Sequence, residues 1–429
     1  MSISVPISNF NQQELEKMSS DLQLKLEDGN KYSKFKKVEY FDTYEIQNEN
    51  VYIPLAYALS NFKSKVKSRK PDEFKKLNLT FNGTLREEQI KVKDEAIQNL
   101  NKHKACLISC FPGFGKTLTS IYISISINLK TLIIVNKLPL IDQWVKSIKL
   151  LSNNKAKIKV LSVGEYIEDE DDFVIVNCIN IPKFSEMTQF GTLIVDECHL
   201  IASKVLSKSI FKVTPRYIIG LSATPYRFDG LNKLLDLFFT EKKIIRKLWC
   251  PHTVYKVNTG FRPIVETDAN GKVVWGKILE SQCNDEKRNQ LIIDIICKHK
   301  DKNFMILSKR VDQSEYLHKK LLELGEHIQI LVGNNKKFDE SCRILIGTIG
   351  KLGVGFDFAK LNALVLASDT EQYFIQYLGR IFRIAQDSPD FVKPMVFDLL
   401  DENPILKRHF ATRKDVYLDA GGTIEIYKF

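Results

Sequence analysis

Residues 105–118 read ACLISCFPGFGKTL, an apolar run that a glycine-rich loop joins to a second apolar stretch. This order predicts a buried strand, a tight turn and a helix. In such a loop, Gly113 and Gly115 let backbone N–H groups approach phosphate oxygens. Lys116 would reach the β- and γ-phosphates, and Thr117 would bind Mg²⁺. The stretch therefore predicts a site for a nucleoside triphosphate and Mg²⁺ at the positive end of a helix dipole.

The loop departs at one position from the strict P-loop pattern, which would place a glycine where this chain has Cys110. A dinucleotide-binding fingerprint is the alternative interpretation of the glycines. That fingerprint needs a small residue at position 118, and the residue there is Leu118. The sequence thus favours the P-loop.

Short apolar runs alternate with amphipathic segments on both sides of this loop. The strands predicted in the first half are 105–109, 131–135, 157–163, 173–176, 192–195 and 217–221, with helices at 91–100, 118–127 and 138–150. The strands predicted in the second half are 304–307, 327–332, 343–347, 363–367 and 395–399, with helices at 312–324 and 372–384. This alternation predicts an α/β fold with two tandem parallel-sheet domains.

A connection at 248–286, richer in Gly, Pro and Asn, separates the two series and contains a predicted hairpin turn at 268–272. The resulting prediction is a small N-terminal accessory region, a first domain and a second domain. Their limits are 1–82, 83–247 and 248–429. In the tail, residues 417–429 predict two strands around a pair of glycines. The acidic run 168–172 predicts a solvated loop.

Residues 191–199 read GTLIVDECH and predict a buried strand with two acids at its carboxyl end, where ligands bind in open α/β sheets. Asp196 would hold Mg²⁺, directly or through water. Glu197 would be the general base on the attacking water. Two solvated acids at a strand end are the ordinary alternative. Downstream of a P-loop lysine, the catalytic interpretation is favoured.

Residues 376–383 read QYLGRIFR and predict a helix that carries Arg380 and Arg383 on one face. An arginine supplied in trans to a P-loop stabilises charge on the γ-phosphate in the transition state. Pairing of both arginines with neighbouring acids is the structural alternative. The catalytic interpretation would make hydrolysis depend on closure of one domain on the other.

Taken together, the motifs resemble those of the superfamily 2 helicases and follow the order of that family over about residues 84–384. They are LRxxQ at 85–89, the P-loop at 113–117, DECH at 196–199, SATP at 222–225, Thr348 with GFD at 355–357, and QxxGRxxR at 376–383. The resemblance implies two RecA-like domains, ATP in the cleft between them, and a nucleic-acid strand that crosses both.

The resemblance also implies roles for single residues. Gln89 would contact adenine. Coupling of hydrolysis to domain movement is implied for His199, Ser222, Thr224 and Gln376. Contact with nucleic acid is implied for Thr348, and Asp357 would lie near the ribose.

Two positions differ from the pattern of the family. Val354 stands where an acidic residue is usual, and Asn177 with Cys178 stands where a backbone-contacting threonine is frequent.

Within the superfamily, the DECH motif argues against the DEAD-box RNA helicases. The chain looks more like the branch of excision-repair helicases, restriction motor subunits and poxvirus transcript-release helicases, and the region of Gly350–Phe358 leans toward members from large DNA viruses. The implied function is an ATP-dependent helicase or translocase on nucleic acid, with DNA favoured over RNA and transcription or replication machinery as possible partners.

Three other functions stay open at this point. One is an RNA helicase that acts on transcripts, and another is a non-enzymatic nucleic-acid-binding scaffold with a degenerate ATPase. The third is a restriction-type nuclease subunit, although no carboxylate set for a metal nuclease stands outside the motor motifs.

Composition limits the class without deciding the function. The 429 residues contain 63 Lys and Arg against 52 Asp and Glu, a net charge of +11. No signal peptide or membrane span is evident, and the eight cysteines show no metal-binding spacing. An intracellular, soluble protein is expected, in the cytoplasm or in a virion if it is viral.

The segment 61–76 has seven basic and two acidic residues. It is either a solvated surface or an extension of a nucleic-acid path. The second interpretation predicts weaker DNA binding when Lys63, Lys65, Lys67, Arg69 and Lys70 are neutralised.

Overall fold

The computed structural model describes residues 2–26, 39–185, 187–201, 211–223, 232–333, 338–352, 358–370, 374–384 and 388–429. The chain divides into two compact units. The first comprises Met1–Cys110 and Phe114–Arg246, and the second comprises Lys247–Phe429 with Phe111–Gly113. Residues 1–82 belong to the same compact unit as the P-loop helix. The domain limits from the sequence stay predictions.

The N-terminal region is built from short antiparallel strands and two helices. Its elements are β1 Ser2–Pro6, α1 Gln12–Leu22, β2 Gln23–Leu26, β3 Glu39–Asp42, β4 Glu45–Gln47, β5 Asn50–Pro54 and α2 Leu55–Asn61, with 3₁₀ turns at Ile7–Asn9 and Pro71–Glu73. Strands β1, β5 and β4 form one sheet, and β2 pairs with β3. Apolar side chains such as Ile53 and Phe62 share one core with the first large sheet. The region therefore packs on this sheet.

A seven-stranded parallel sheet follows in the first unit, in the order β12-β6-β11-β10-β7-β9-β8. Its strands are β6 Ala105–Cys110, β7 Thr131–Val135, β8 Ile158–Leu161, β9 Phe173–Asn177, β10 Thr192–Val195, β11 Tyr217–Ser222 and β12 Lys243–Arg246. Its helices are α3 Glu87–His103, α4 Lys116–Ile127, α5 Leu138–Leu151, α6 Cys198–Ile201 and α7 Asn232–Phe239, with a 3₁₀ helix at Cys178–Lys183.

A second seven-stranded parallel sheet has the order β15-β16-β14-β17-β18-β13-β19. Its strands are β13 His252–Asn258, β14 Phe304–Ser308, β15 Ile328–Leu331, β16 Ile344–Thr348, β17 Ala363–Leu366, β18 Met395–Leu400 and β19 Gly422–Ile426. Its helices are α8 Trp275–Asn284, α9 Glu286–Lys298, α10 Val311–Glu323, α11 Ile349–Leu352, α12 Phe374–Ile381 and α13 Pro404–Asp419. The predicted α/β class with two tandem parallel sheets is confirmed.

The burial of the strands explains why continuous apolar runs predicted them. Every residue of β6, β7, β9 and β10 is buried. The edge strands β8 and β12 are only partly buried. Strands covered on both faces read as unbroken Val, Ile and Leu, as in other parallel sheets.

Two predictions for the second half are wrong. The connection at 248–286 contains β13, which lies inside the second sheet between β18 and β19. The tail does not form two strands, because Tyr417 belongs to α13 and only β19 follows. Gly421 has a φ of +88°, so it reverses the chain between that helix and the strand.

The basic segment 61–76 contacts the amino edge of the first sheet. Arg69 donates from Nη1 to the carbonyl of Thr214 at 3.2 Å, just before β11 begins. Lys75 donates from Nζ to Oδ1 of Asp172 at 2.7 Å, just before β9 begins. The acidic run 168–172 is therefore held by lysines, since Lys130 also donates to the carbonyl of Glu168. The predicted loop is confirmed, with residues 168–170 exposed, but Asp172 at its end is buried and paired with Lys75.

A buried ionic network ties α13 to the second sheet. Arg413 is 3% exposed and binds both carboxylate oxygens of Asp398 at 2.8 Å. Its Nη1 also donates to Oδ1 of Asp369 at 2.7 Å, and the Tyr417 hydroxyl donates to Asp398 at 2.8 Å. Each charge is thus matched by opposite charge and hydrogen bonds, which buried ions require.

Replacing Arg413 by alanine is expected to destabilise the protein by about 3–5 kcal/mol, because two buried carboxylates lose the positive charge that they share. Urea unfolding followed by circular dichroism measures this change. Lys414→Ala is the control, since Lys414 is an exposed basic residue of the same helix. Equal stability of the two variants would show that the network does not stabilise the fold.

Candidate nucleotide and coupling site

The P-loop joins β6 to α4 at the carboxyl edge of the first sheet. Gly113 and Gly115 have φ of +87° and +93°, in the left-handed region where glycine is favoured. Lys116 is the first residue of α4, and its Nζ donates to the carbonyl of Cys110 at 2.8 Å. Cys110 is the last residue of β6 and is fully buried, so a side chain fits where the strict motif has glycine.

Two residues at the start of α3 hold the P-loop from one side. Gln89 donates from Nε2 to the carbonyl of Phe114 at 2.8 Å and accepts from the backbone N–H of Arg86 at 2.8 Å. The Arg86 guanidinium donates to the same Phe114 carbonyl. A Cβ on Gly115 would lie 2.3 Å from Nε2 of Gln89, so a side chain there would displace the Gln89 amide from the loop. Gln89 therefore braces the loop, and its contact with adenine stays a prediction.

The acidic pair follows β10 at the same edge of the sheet. Asp196 is 8% exposed, and its Oδ2 accepts a hydrogen bond from the indole N–H of Trp144 at 2.9 Å. Burial and the neighbouring Glu197 raise the pKa of Asp196 to about 6, although the Trp144 hydrogen bond and Lys116 oppose the shift. Ionisation of Asp196 therefore destabilises the folded state as the pH rises through about 6. A cation beside it would offset that cost.

A histidine joins the acidic pair to the next strand. Nδ1 of His199 lies 2.9 Å from Oγ of Ser222, the last residue of β11, and 3.4 Å from Oε2 of Glu197. Glu197 itself has a φ of +47°, an uncommon value for a residue with a side chain. Such conformations cluster at functional sites. The structure thus brings together Glu197, His199 and Ser222, and their coupling role stays a prediction.

The residues present fit a magnesium ion that a triphosphate would accompany. Hydroxyl and carboxylate oxygens are the ligands Mg²⁺ prefers, and Thr117 and Asp196 would supply them. Within the described part of the chain, no group of three or more His, Cys, Asp and Glu side chains could hold a metal by itself. A cation here would therefore take its other ligands from the phosphates and from water.

In the second unit, Thr348 and the arginine motif belong to neighbouring segments. Thr348 ends β16, and the Tyr377 hydroxyl of α12 donates to the carbonyl of the next residue, Ile349, at 3.0 Å. Gln376 and Arg380 lie on α12 and are half-buried. Thr224 and Asp357 lie outside the described residues.

The helix predicted for 372–384 is too long at its carboxyl end. Because α12 ends at Ile381, Arg383 lies beyond it and does not share a helix face with Arg380. The ring of Phe382 packs on the buried ring of His252, with centroids 4.8 Å apart. This packing holds the chain beside Arg383.

Sequence reasoning missed two residues that brace the site. Arg86 is visible in the LRxxQ motif, but its target carbonyl is not. The sequence does not indicate the role of Trp144, because an apolar residue on an amphipathic helix is predicted to belong to the hydrophobic core.

These features define a P-loop nucleoside triphosphatase with a strand-end acid pair and a His–Ser link on a parallel sheet. The family model "Type III restriction enzyme, res subunit" matches residues 82–227. "Putative helicase 161L" of Invertebrate iridescent virus 6 is 39% identical over the whole of both chains. The protein therefore belongs to the viral superfamily 2 helicases, enzymes that hydrolyse ATP in a nucleic-acid-dependent reaction.

More distant relatives carry different names. A mimivirus protein named as an ATP-dependent RNA helicase is 25% identical, with 83% of this chain and 72% of that protein covered. Transcript termination protein OPG145 of Vaccinia virus is 23% identical, with coverage of 69% and 67%. The solved structure of S. cerevisiae Dbp5 bound to RNA and ADP BeF3 has a TM-score of 0.58 at 11% identity and covers 78% of this chain and 89% of its own. That likeness supports the tandem RecA-like fold.

Among the described helices, none has the length and apolar character to span a bilayer.

Proposed function

We propose that this helicase moves on DNA and that Lys116, Glu197, Arg380 and Arg383 carry its hydrolytic chemistry. The observation that supports this most directly is the link from Glu197 through His199 to Ser222 beside a braced P-loop. An acid with only a structural role would need no contact with the end of the neighbouring strand. An acid whose movement during hydrolysis must be transmitted to that strand does need one.

Each of the proposed site residues in the first unit has a distinct role in the reaction. Lys116 binds the β- and γ-phosphates, and Glu197 orients the attacking water and accepts its proton. A bound Mg²⁺ supplies charge neutralisation of the phosphates. His199 contacts both Glu197 and Ser222, so a movement of Glu197 would move Ser222, which begins the SATP motif. Gln89 and Arg86 keep the loop from shifting as the charge changes.

The proposed nucleic-acid contacts lie at the carboxyl edges of the strands. There, α5 begins at Leu138 after β7, and a 3₁₀ helix begins at Cys178 after β9. In the second unit, α10 begins at Val311 after β14, and Thr348 ends β16. Backbone N–H groups at such helix starts bind phosphates without regard to sequence. This suits a motor that must pass any sequence.

DNA is favoured by the description of the matching family model, because restriction enzymes act on DNA. RNA is the second candidate, and the name of the mimivirus relative favours it. The name of the Vaccinia virus relative supports a partner in the transcription machinery. The DNA motor and the RNA helicase would use the same ATP site, so only the nucleic-acid substrate distinguishes the two candidates.

The substrate is tested by displacement of a third DNA strand from a triplex, in parallel with unwinding of a tailed RNA duplex. The expected result is ATP-dependent displacement on DNA and little unwinding of RNA. Unwinding of RNA alone would establish the second candidate. ATP hydrolysis without either movement would overturn the motor proposal.

The basic segment 61–76 gives a further expectation, because it contacts the amino edge of the first sheet and the P-loop lies at the carboxyl edge. Replacing exposed Lys63, Lys67 and Lys70 by alanine is expected to leave duplex affinity and its salt dependence unchanged. If these lysines bound phosphates, each substitution would instead flatten the log–log salt slope by about 0.9. Exposed Lys102, Lys149 and Lys155 offer a control set with the same charge change. A flatter slope in the first set alone would restore the nucleic-acid interpretation.

A further inference from the structure

Trp144 is one of the largest fully buried side chains, at 1% exposure, and it lies midway along α5. Its indole N–H is a single donor with no acceptor, so burial requires one partner. That partner is Oδ2 of Asp196, at 2.9 Å. The partner lies 52 residues away in the sequence, so the contact is made only in the folded domain.

The contact constrains the carboxylate without neutralising it. The backbone N–H of Glu197 donates to the other oxygen, Oδ1, at 3.0 Å. Each carboxylate oxygen accepts two hydrogen bonds or ligands, and from the described residues each oxygen of Asp196 accepts one, which leaves one position for a ligand. Both donors are uncharged, and the negative charge of Asp196 remains available to a cation. An arginine or lysine in the place of Trp144 would compete with that cation.

We propose that Trp144 is a positioning residue that fixes the carboxylate of Asp196 for Mg²⁺ when nucleotide binds. This inference rests on the proposed role of Asp196. Partners of metal-binding side chains commonly change metal affinity by about 10–100-fold when removed. A purely structural tryptophan would change stability and leave the Mg²⁺ dependence as it was.

Intrinsic fluorescence tests the contact without changing Trp144. The chain has three tryptophans, and Trp249 and Trp275 are 61% and 37% exposed. Replacing those two by phenylalanine leaves Trp144 as the only indole. With a non-hydrolysable ATP analogue present, added Mg²⁺ is expected to change its emission in a saturable way. The change should be absent when Asp196→Asn is added, and emission that ignores Mg²⁺ would overturn the proposal.

Kinetics of Trp144→Phe provide the second test, because phenylalanine fills most of the site and removes only the N–H. The Mg²⁺ concentration for half-maximal ATPase is expected to rise about tenfold. The rate at saturating Mg²⁺ should recover most of the wild-type value. Trp249→Phe is the control and should behave as wild type. An unchanged Mg²⁺ dependence in Trp144→Phe would contradict the positioning role while leaving the ATPase function intact.

If Trp144→Phe does not fold, thermal melting will show it, and the fluorescence test still decides. If the wild-type protein hydrolyses no ATP under any condition, the proposed function fails first. If the protein hydrolyses ATP but neither test shows an effect that involves Trp144, only the positioning role of Trp144 is rejected. The two proposals are therefore separable.

Discussion

Glu197→Gln is expected to lower the ATPase kcat by about 10²–10⁴-fold while ATP still binds, because the amide cannot accept the proton of the attacking water. Lys116→Ala should instead weaken the binding of ATP as well as the rate, since the proposed contact of the ammonium with the phosphates would exist in both ground and transition states. Steady-state phosphate release and equilibrium binding of a fluorescent ATP analogue measure the two effects separately.

Glu241→Gln is the matched control for the first variant, because Glu241 is an exposed acid of the same unit. It should keep wild-type kinetics. If Glu197→Gln retained most of the wild-type rate, another group would have to be the base. The link from Glu197 through His199 to Ser222 would then need a structural explanation.

Arg380→Ala and Arg383→Ala are each expected to reduce kcat by about 10³–10⁵-fold, the usual contribution of an arginine supplied in trans to a γ-phosphate. The KM for ATP should change far less, because the interaction belongs to the transition state. Lysine at either position should rescue only part of the rate, since it lacks the planar fork of arginine.

Arg262→Ala is the control for the arginine variants. The Arg262 side chain is 81% exposed in the same unit and pairs with Glu402 at 3.0 Å. Loss of activity in both variants with a normal control would support the catalytic role. A variant with normal kcat would assign that arginine to the structural alternative.

The sequence predicted the two parallel sheets and the P-loop because these depend on local patterns. Fully buried strands such as β6 and β10 appear as continuous apolar runs, and the glycines at 113 and 115 are needed for their positive φ. The order of motifs along the chain then indicated the superfamily, which the comparison with the iridovirus protein confirms.

Other features depend on contacts between distant parts of the chain and could not be predicted. Nothing local marks Trp144 as the partner of Asp196, or Lys75 as the partner of the acidic run that was expected to be solvated. The end of α12 before Arg383 also escaped prediction, since the apolar periodicity continues past it. These contacts determine how the motifs are held, whereas the motifs themselves are visible in sequence.

The dependence of ATP hydrolysis on nucleic acid tests the motor function most directly. Steady-state phosphate release would be measured with no polymer, single-stranded DNA, duplex DNA and RNA, each at several salt concentrations. The expected result is a rate that rises at least about tenfold with DNA and falls back as salt weakens the phosphate contacts. Equal rates with and without every polymer would contradict the assignment of this protein as a nucleic-acid motor.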